Sequence, residues 1–395
     1  MSRKKIAIIG GGSAGLFAAE MLCYDNDVMV YEKGKTIGRK FLVAGKGGFN
    51  LTNQAIGESL TQQYLSDSFL RKKIKAHDSN EMRQWLLDLG VPTFVGTSGR
   101  VFPEKGIKPI EVLKKIKNKL LENKVQFKFF NEFVGFDKNC KTLVKENDEV
   151  KIVDADIVVF ALGGASWSVT GSDGKWLEYF KKIGIKTKPF QSSNCGVNVE
   201  WSDHLKNHHS GKPLKNIEVS ILGKKVKGEA LITNYGLEGN AIYPIIPEVR
   251  KLLNNNTPAF LEIDLKPHNS PEELFQKIKN KPEKTKSYAQ SLKLNATQVA
   301  LLKSFSSKDD FLKPSVFIDL VKHLQIPIQS LRPIEEAIST VGGIDFSEVG
   351  ENFSLKKYPN IYVIGEMLDW DAPTGGFLLQ GCYSMAKSVV LPSLI

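Results

Sequence analysis

The stretch AIIGGGSAGLFAAE, Ala7–Glu20, decides how this chain is read. It sits on Lys5–Ile9 (KIAII), an apolar run with no polar alternation. Such a run reads as a short parallel strand covered on both faces. Gly10, Gly12 and Gly15 follow at G-x-G-x-x-G spacing and open a helix of small residues. The first glycine suits a tight turn, the second a close approach of backbone to a pyrophosphate, and the third close packing of helix on strand. Ser13 and Ala14 begin that helix, where free N–H groups and the positive dipole end face an anion. The stretch is therefore expected to hold a dinucleotide through Gly10, Gly12, Ser13, Ala14 and Gly15.

Working outward, Asp27–Tyr31 (DVMVY) reads as a second buried strand ending in Glu32. An acid about 20 residues after the glycines suits a ribose hydroxyl. Lys33, Arg39 and Lys40 then lead into the loop AGKGGFNLTN, Ala44–Asn53. So many glycines let a backbone lie against a flat ring at Gly45. Asn50, Thr52 and Asn53 offer it side-chain hydrogen bonds; a plain surface loop is the alternative. Asp156–Ala161 (DIVVFA) is a third buried strand and runs into Gly163-Gly164. Asn360–Ile364 (NIYVI) is a fourth and ends in Gly365-Glu366, followed by MLDWDAPTGGFLLQGCYSMAKSVV. Glu366 suits ribityl or phosphate-linked oxygens, with Asp369 and Thr374 nearby in the chain. A helix opening at Gly375-Gly376-Phe377 would aim N–H groups at a flavin and stabilise negative charge on it. A purely structural C-terminal unit is the alternative.

Composition narrows the class. The chain has 395 residues, 42% hydrophobic and 25% charged, which favours two or three domains over one core. No apolar run reaches membrane-spanning length, and the N-terminus lacks a signal-peptide pattern. Cys23, Cys140, Cys195 and Cys382 are scattered without a CxxC pair, which argues against structural zinc and a redox pair and for a reduced, cytoplasmic protein. The six histidines show no metal spacing, so no metal site is expected. The formal charge of +11 comes mostly from lysine, with runs at Arg71–Lys75 and Lys114–Lys124. These read as solvated helix faces; scarce arginine weighs against nucleic acid.

Between the two ends the texture changes. Val125–Phe130, Phe133–Phe136, Thr142–Val144 and Lys151–Val153 alternate like short antiparallel strands. Trp176, Leu177, Phe180 and Ile183 fall at helical spacing and read as core. Ile217–Leu222, a turn at Gly223–Lys225, and Val226–Thr233 look like a hairpin. From Ser270 the pattern is helical: Ser270-Pro271-Glu272-Glu273 combines N-cap, proline and capping-box acid, and Asn295 with Gln298 and Ser307 with Asp310 are further starts. The fold class is α/β. The reading is a Rossmann-like dinucleotide domain split between residues 1–190 and 343–395, a β-rich inserted domain over 191–262 and 325–342, and a helical insert over 263–324.

These stretches together resemble the BaiN/YhiN-like family of FAD-dependent oxidoreductases, among the two-dinucleotide-binding-domain flavoproteins. The resemblance rests on IIGGGSAGLFAAE, GRKFLVAGKGGFNLTN, ALGGASWSVTGSDG, TNYGLEG, VGGIDFSEV and GEMLDWDAPTGGFLLQG, and spans essentially the whole chain. It implies an FAD domain made from both chain ends, with a β-barrel-like domain inserted and a helical domain inserted into that. The chain departs from the family at several positions. Lys46 stands for a glycine, Gly48 for an arginine and Phe49 for a cysteine; Thr233–Asn240 (TNYGLEGN) replaces Thr-His-x-Gly-x-Ser-Gly-Pro; Leu378 replaces an asparagine. It therefore reads as a divergent subgroup.

The expected function is FAD-dependent oxidoreduction: hydride transfer between flavin N5 and a small organic substrate, with NAD(P)H as a transient donor. No second dinucleotide fingerprint provides a separate NADPH domain. Lys46, Tyr235 and Glu238 are the expected catalytic residues by motif position. Two other readings stand beside this one: a tRNA-modifying flavoprotein using folate, and a non-catalytic dinucleotide-binding regulator.

Overall fold

A computed structural model describes residues 3–43, 48–282 and 284–391. The chain divides into two units, Met1–Gln191 with Ile338–Ile395, and Ser192–Ala337.

The first unit is built on a five-stranded parallel sheet. Its spatial order is Ile361–Val363, Ile157–Phe160, Lys5–Ile9, Asp27–Glu32 and Gln126–Phe129. Ile6 pairs with Ile157 and with Val28, and Val158 pairs with Ile361. Both chain ends thus enter one sheet. Ile8, Val30, Val159 and Val363 are wholly buried, each contributing about 1.5–3 kcal/mol of apolar burial. The helix Ser13–Leu22 is buried on nearly every side, as a helix covered all round must be apolar. Phe17 on it meets Tyr383 of the C-terminal helix Phe377–Lys387 edge to face at 5.8 Å.

One strand differs from expectation. Gln126–Phe129 follows the helix Pro109–Glu122 and pairs parallel with Asp27–Glu32. A right-handed crossover of that kind returns a strand parallel, so it does not join the antiparallel group. The antiparallel meander holds only Asn131–Phe136, Thr142–Glu146 and Glu149–Ile152. The expected helix with Trp176, Leu177 and Phe180 in the core is present over Trp176–Lys182.

Among the described residues the second unit contains a seven-stranded sheet and six α-helices, Asp203–His209, Ile246–Asn254, Pro271–Ile278, Thr285–Ser291, Ala296–Ser304 and Pro314–Lys322. Leu324–Ile328 and Ser330–Leu331 lie at opposite ends of the strand order, yet only Gln329 separates them in the chain. The sheet must therefore curl. Capping boxes form at Ser270 with Glu273 and Asn295 with Gln298. Ser307 and Asp310 cap only a single 3-10 turn, Asp309–Phe311. Lys322 pairs with Asp264 at 2.6 Å and donates to the Asn269 carbonyl at 2.7 Å, tying the last of these helices to the sheet.

The hairpin turns one residue earlier than its sequence suggests. Ile221 pairs with Lys224, leaving Leu222-Gly223 as a two-residue loop with φ of 49° and 81°. Both central residues are left-handed, the geometry that matches strand twist. A leucine there is strained and is 61% exposed. Asparagine tolerates this conformation better. Leu222→Asn should therefore stabilise the second unit by about 0.5–1 kcal/mol. Thermal unfolding should show a midpoint raised by a few degrees; an unchanged or lower midpoint would refute the turn assignment.

Candidate functional site

The opening turn is set by sterics. Gly10 has φ +110°, and a Cβ there would lie 2.5 Å from the Ala161 carbonyl oxygen. A Cβ on Gly15 would lie 2.0 Å from the Gly10 carbonyl oxygen. Gly12 meets nothing within 4 Å, so packing alone does not demand glycine there; the open side leaves room for a ligand. The helix begins at Gly12 with no side-chain cap and no acid in its first turn. Its first N–H groups, at Ser13 and Ala14, therefore have no intrahelical acceptor and can serve a phosphate.

Glu32 ends the second strand and is fixed by two amides: Gly11 N–H donates to Oε2 at 2.9 Å and Gly34 N–H to Oε1 at 2.7 Å. Each carboxylate oxygen keeps a lone pair for a sugar hydroxyl. Lys33 pairs with Asp173 at 2.9 Å, and Arg39 donates to the Val169 carbonyl at 2.5 Å. Both hold the loop after Gly163-Gly164, so their side chains are committed to protein.

Lys40 joins the two ends of the chain. Its Nζ lies 2.7 Å from Ser166 Oγ and 3.1 Å from Glu366 Oε2. Glu366 Oε1 is buried without a partner. Leaving such an atom unpaired costs about 1–3 kcal/mol or more, so a donor from a bound molecule is the natural complement. Gly365 (φ +76°) places this residue against the first helix, where a Cβ would lie 2.9 Å from Ala14 Cβ. Opposite, a Cβ on Gly164 would lie 2.1 Å from Thr340 Oγ1, and one on Gly163 2.6 Å from Ser172 Oγ. Burial, with Glu366 adding to it, pushes the Cys382 thiol up to about 12. That thiol is inert at neutral pH.

The loop ending at Asn53 packs on the C-terminal helix. Thr52 Oγ1 donates to Gln380 Oε1 at 2.6 Å, and Asn53 Nδ2 donates to the Gly375 carbonyl at 3.2 Å. Asn50, in the amide orientation that satisfies its neighbours, accepts from Gly376 N–H and donates to the Gly48 carbonyl. A Cβ on Gly376 would lie 2.2 Å from the Thr52 carbonyl oxygen. The hydroxyl proton of Thr52 is thus engaged within the fold, whereas Phe377 starts a helix without a side-chain cap. Asp369 accepts from Gly342 N–H at 3.0 Å and from Lys188 at 2.5 Å, a structural lock. Thr374 lies in the bend before Gly375. Gly45 and Lys46 lie outside the described residues.

Tyr235 and Glu238 belong to the second unit. Gly236 (φ +157°) leaves no space for a side chain, since a Cβ would lie 1.9 Å from the Val197 carbonyl oxygen. The turn Thr233–Glu238 is consequently tight, and the Tyr235 hydroxyl donates to Glu238 Oε2 in a short bond. Burial first, then Glu238, holds the Tyr235 phenol far above its ordinary range. The Arg332 guanidinium stacks 4.0 Å from the Tyr235 ring centroid. It is itself held by Glu336 at 2.6 Å and Asn198 at 3.0 Å. Such a pair can hold and pass a proton.

Sequence reasoning missed Thr340, Gln380, Arg332 and Asn198. Gln380 carried a signal, a lone amide inside the apolar run FLLQGCY. Arg332 and Asn198 carried none, because only the sheet brings them to Tyr235. Among the described residues no group of three or more His, Cys, Asp or Glu side chains could hold a metal, and no helix is long and apolar enough to cross a membrane.

With this geometry in place, three comparisons with known proteins bear on it. The family described as HI0933-like protein Rossmann domain matches residues 4–390. The chain is 24% identical to the 3-dehydro-bile acid delta(4,6)-reductase of Clostridium scindens, covering 96% of each. It is 25% identical to the ribosomal RNA dihydrouridine synthase of Haemophilus influenzae, covering 97% of each. Its fold is similar to that of 3-ketosteroid-delta4-(5alpha)-dehydrogenase from Rhodococcus jostii RHA1, with a TM-score of 0.52 at 15% identity over 98% of this chain and 96% of that one.

The unpartnered Glu366 oxygen gives a direct test of the first unit. Glu366→Ala should weaken dinucleotide retention about tenfold to a hundredfold, the worth of one hydrogen bond to a charged group. Flavin absorbance per protein after gel filtration measures this. Retention equal to the unaltered chain would remove Glu366 from the site.

Proposed function

We propose that this chain, which belongs to the HI0933-like protein Rossmann domain family, is an FAD-dependent oxidoreductase that reduces a carbon–carbon double bond conjugated to a carbonyl. The observation that carries the cofactor is the buried Glu366 oxygen without a partner, set among glycine turns that leave no room for side chains. The reaction is supported by the names of two relatives. A 3-dehydro-bile acid delta(4,6)-reductase and a dihydrouridine synthase both saturate a C=C bond conjugated to a carbonyl.

FAD, when bound and recharged by NAD(P)H, would supply a hydride for the β carbon of such a bond. The chain supplies the rest. The amides of Gly12, Ser13 and Ala14 would hold the pyrophosphate, and Glu32 and Glu366 would accept from sugar hydroxyls. Lys40, 3.1 Å from Glu366 Oε2, holds Glu366 in place. The N-terminus of the helix Phe377–Lys387 favours negative charge on the isoalloxazine. The α carbon then needs one proton, completing addition of two hydrogens as NAD(P)H becomes NAD(P)⁺. Tyr235 donates it, and Glu238 orients the hydroxyl and helps return the proton. Because burial and Glu238 keep the phenol protonated, it remains a donor through the neutral range. Arg332 steadies the ring.

Two measurements follow. Anaerobic titration with NADH and NADPH should bleach the visible flavin band. A colourless protein that cannot be reconstituted with FAD would sink the reading. The reduced protein should then be reoxidised by a conjugated enone, tested with a 3-oxo-4-ene steroid and with a uridine-containing RNA. Tyr235→Phe should slow that reoxidation about 10²- to 10⁴-fold, while bleaching by the nicotinamide nucleotide is unchanged. Unimpaired reoxidation would take Tyr235 out of the mechanism.

A further inference from the structure

The lysines of the second unit are not spread evenly. Residues 277–293, KIKNKPEKTKSYAQSLK, carry six lysines against one acid. Its described lysines lie at the end of the helix Pro271–Ile278, in the connection to the helix Thr285–Ser291, within that helix and just beyond it; Glu283 lies outside the described residues. Lys277, Lys279, Lys281, Lys284, Lys286 and Lys293 are all exposed. None of them is in a salt bridge among the described residues, in contrast to Lys322, Lys224 and Lys188. Lys266 joins the group from the sheet side: its Nζ donates to the Lys293 carbonyl at 3.0 Å. The acids of the first helical turn are engaged elsewhere. Glu273 closes the capping box on Ser270, and Glu272 lies in the same first turn.

Like charges held together in such excess over acids repel one another and cost stability. Lys266 feels this, since burial first and then Lys277 and Lys293 push its pKa down. A polyanion relieves that repulsion and releases its own counterions on docking. Phe275 adds a second feature. It is 36% exposed on the same helix, one turn before Lys279, and residues four apart share a helix face. An exposed ring beside a row of ammonium groups can stack a base while the ammoniums hold phosphates.

We infer that the lysine ridge Lys277–Lys293, with Lys266 and Phe275, is a docking surface for single-stranded RNA. This deepens the reading above, on which it rests only for the chemistry done to a base: a uracil carries a C=C bond conjugated to a carbonyl and travels on a phosphate chain. Lysine suits the task because a strand held by its backbone needs point charges more than bidentate forks. The scarcity of arginine thus weighs against base readout and not against strand docking.

The test is fluorescence anisotropy with a 5′-labelled 20-nucleotide uridine-containing RNA, titrated at several KCl concentrations. The unaltered chain should bind, and log K should fall with log[KCl]. The variant K277Q/K279Q/K281Q/K284Q should bind at least about tenfold more weakly near 0.1 M salt. Its salt slope should flatten by about 0.7 for each lysine that met a phosphate. A control variant, K114Q/K115Q/K117Q/K119Q, removes as many lysines from the helix Pro109–Glu122 and should bind as the unaltered chain does. Circular dichroism and bleaching by NAD(P)H should be unchanged in both. The inference is overturned if the ridge variant keeps affinity and slope, if both variants lose equally, or if ridge-dependent binding appears only with phosphatidylserine vesicles. RNA binding by a chain that takes no FAD would sink the flavin reading and leave this one standing.

Discussion

The short pairing of Ile361–Val363 with Ile157–Phe160 is the constraint on which the first unit depends. Three residues bring the C-terminus into a sheet begun by residue 5. Everything chemical at that end follows from the register. Gly365 leaves the strand beside Ala14, Glu366 reaches Lys40, and the helix Phe377–Lys387 lies against the first helix. Neither half alone contains both features of the candidate site, because the uncapped helix start comes from one end of the chain and the unpartnered carboxylate oxygen from the other.

Backbone sterics then fix where side chains are forbidden. Gly10, Gly15, Gly164 and Gly376 each sit where a methyl group would overlap a carbonyl or hydroxyl oxygen. Three of those contacts run between segments far apart in the sequence: Gly10 to Ala161, Gly164 to Thr340 and Gly376 to Thr52. These glycines are therefore points of close approach between loops, and the surface they leave is made of backbone. Gly12 differs, since a side chain there would meet open space. A position free of packing demands, at an uncapped helix start, is where a ligand's demands would show.

The first unit was legible because its elements are local. A buried parallel strand declares itself by uninterrupted apolar residues, and a tight strand-to-helix turn by glycine spacing; Lys5–Gly15 forms both. The Gln126–Phe129 strand was assigned to the wrong sheet because alternation over four residues does not reveal the partner, which the preceding helix determines. The hairpin register differs by one because Leu222 is an unfavourable turn residue, so Gly223 reads as the first turn residue when it is the second. Thr52 and Asp369, expected as cofactor ligands, also bond within the fold: Thr52 donates to Gln380, and Asp369 accepts from Gly342 and Lys188. Only a structure can tell a free side chain from a committed one. The cluster of Tyr235 with Arg332 was half legible. TNYGLEG stands out as a motif that places Tyr235 and Glu238 together, whereas the guanidinium arrives from 97 positions later through strand pairing.

Charge shows the same distinction at larger scale. A net charge of +11 averages over lysines in different physical states. Lys40 and Lys322 are partly or largely buried and neutralised within the fold, so they say nothing about partners. Exposed lysines with an acid within reach, such as Lys181 with Glu178, are nearly neutral at a distance. What remains after those pairs are removed is the charge that another molecule can feel, and the run Lys277–Lys293 holds a large part of it in the second unit. A field from several unpaired ammonium groups extends about one Debye length, roughly 8–10 Å at physiological salt. That is far enough to gather a phosphate chain and too short for lysines scattered elsewhere on the surface to reinforce it. Clustering, and not the total, therefore decides whether excess positive charge is solvated surface or a binding face.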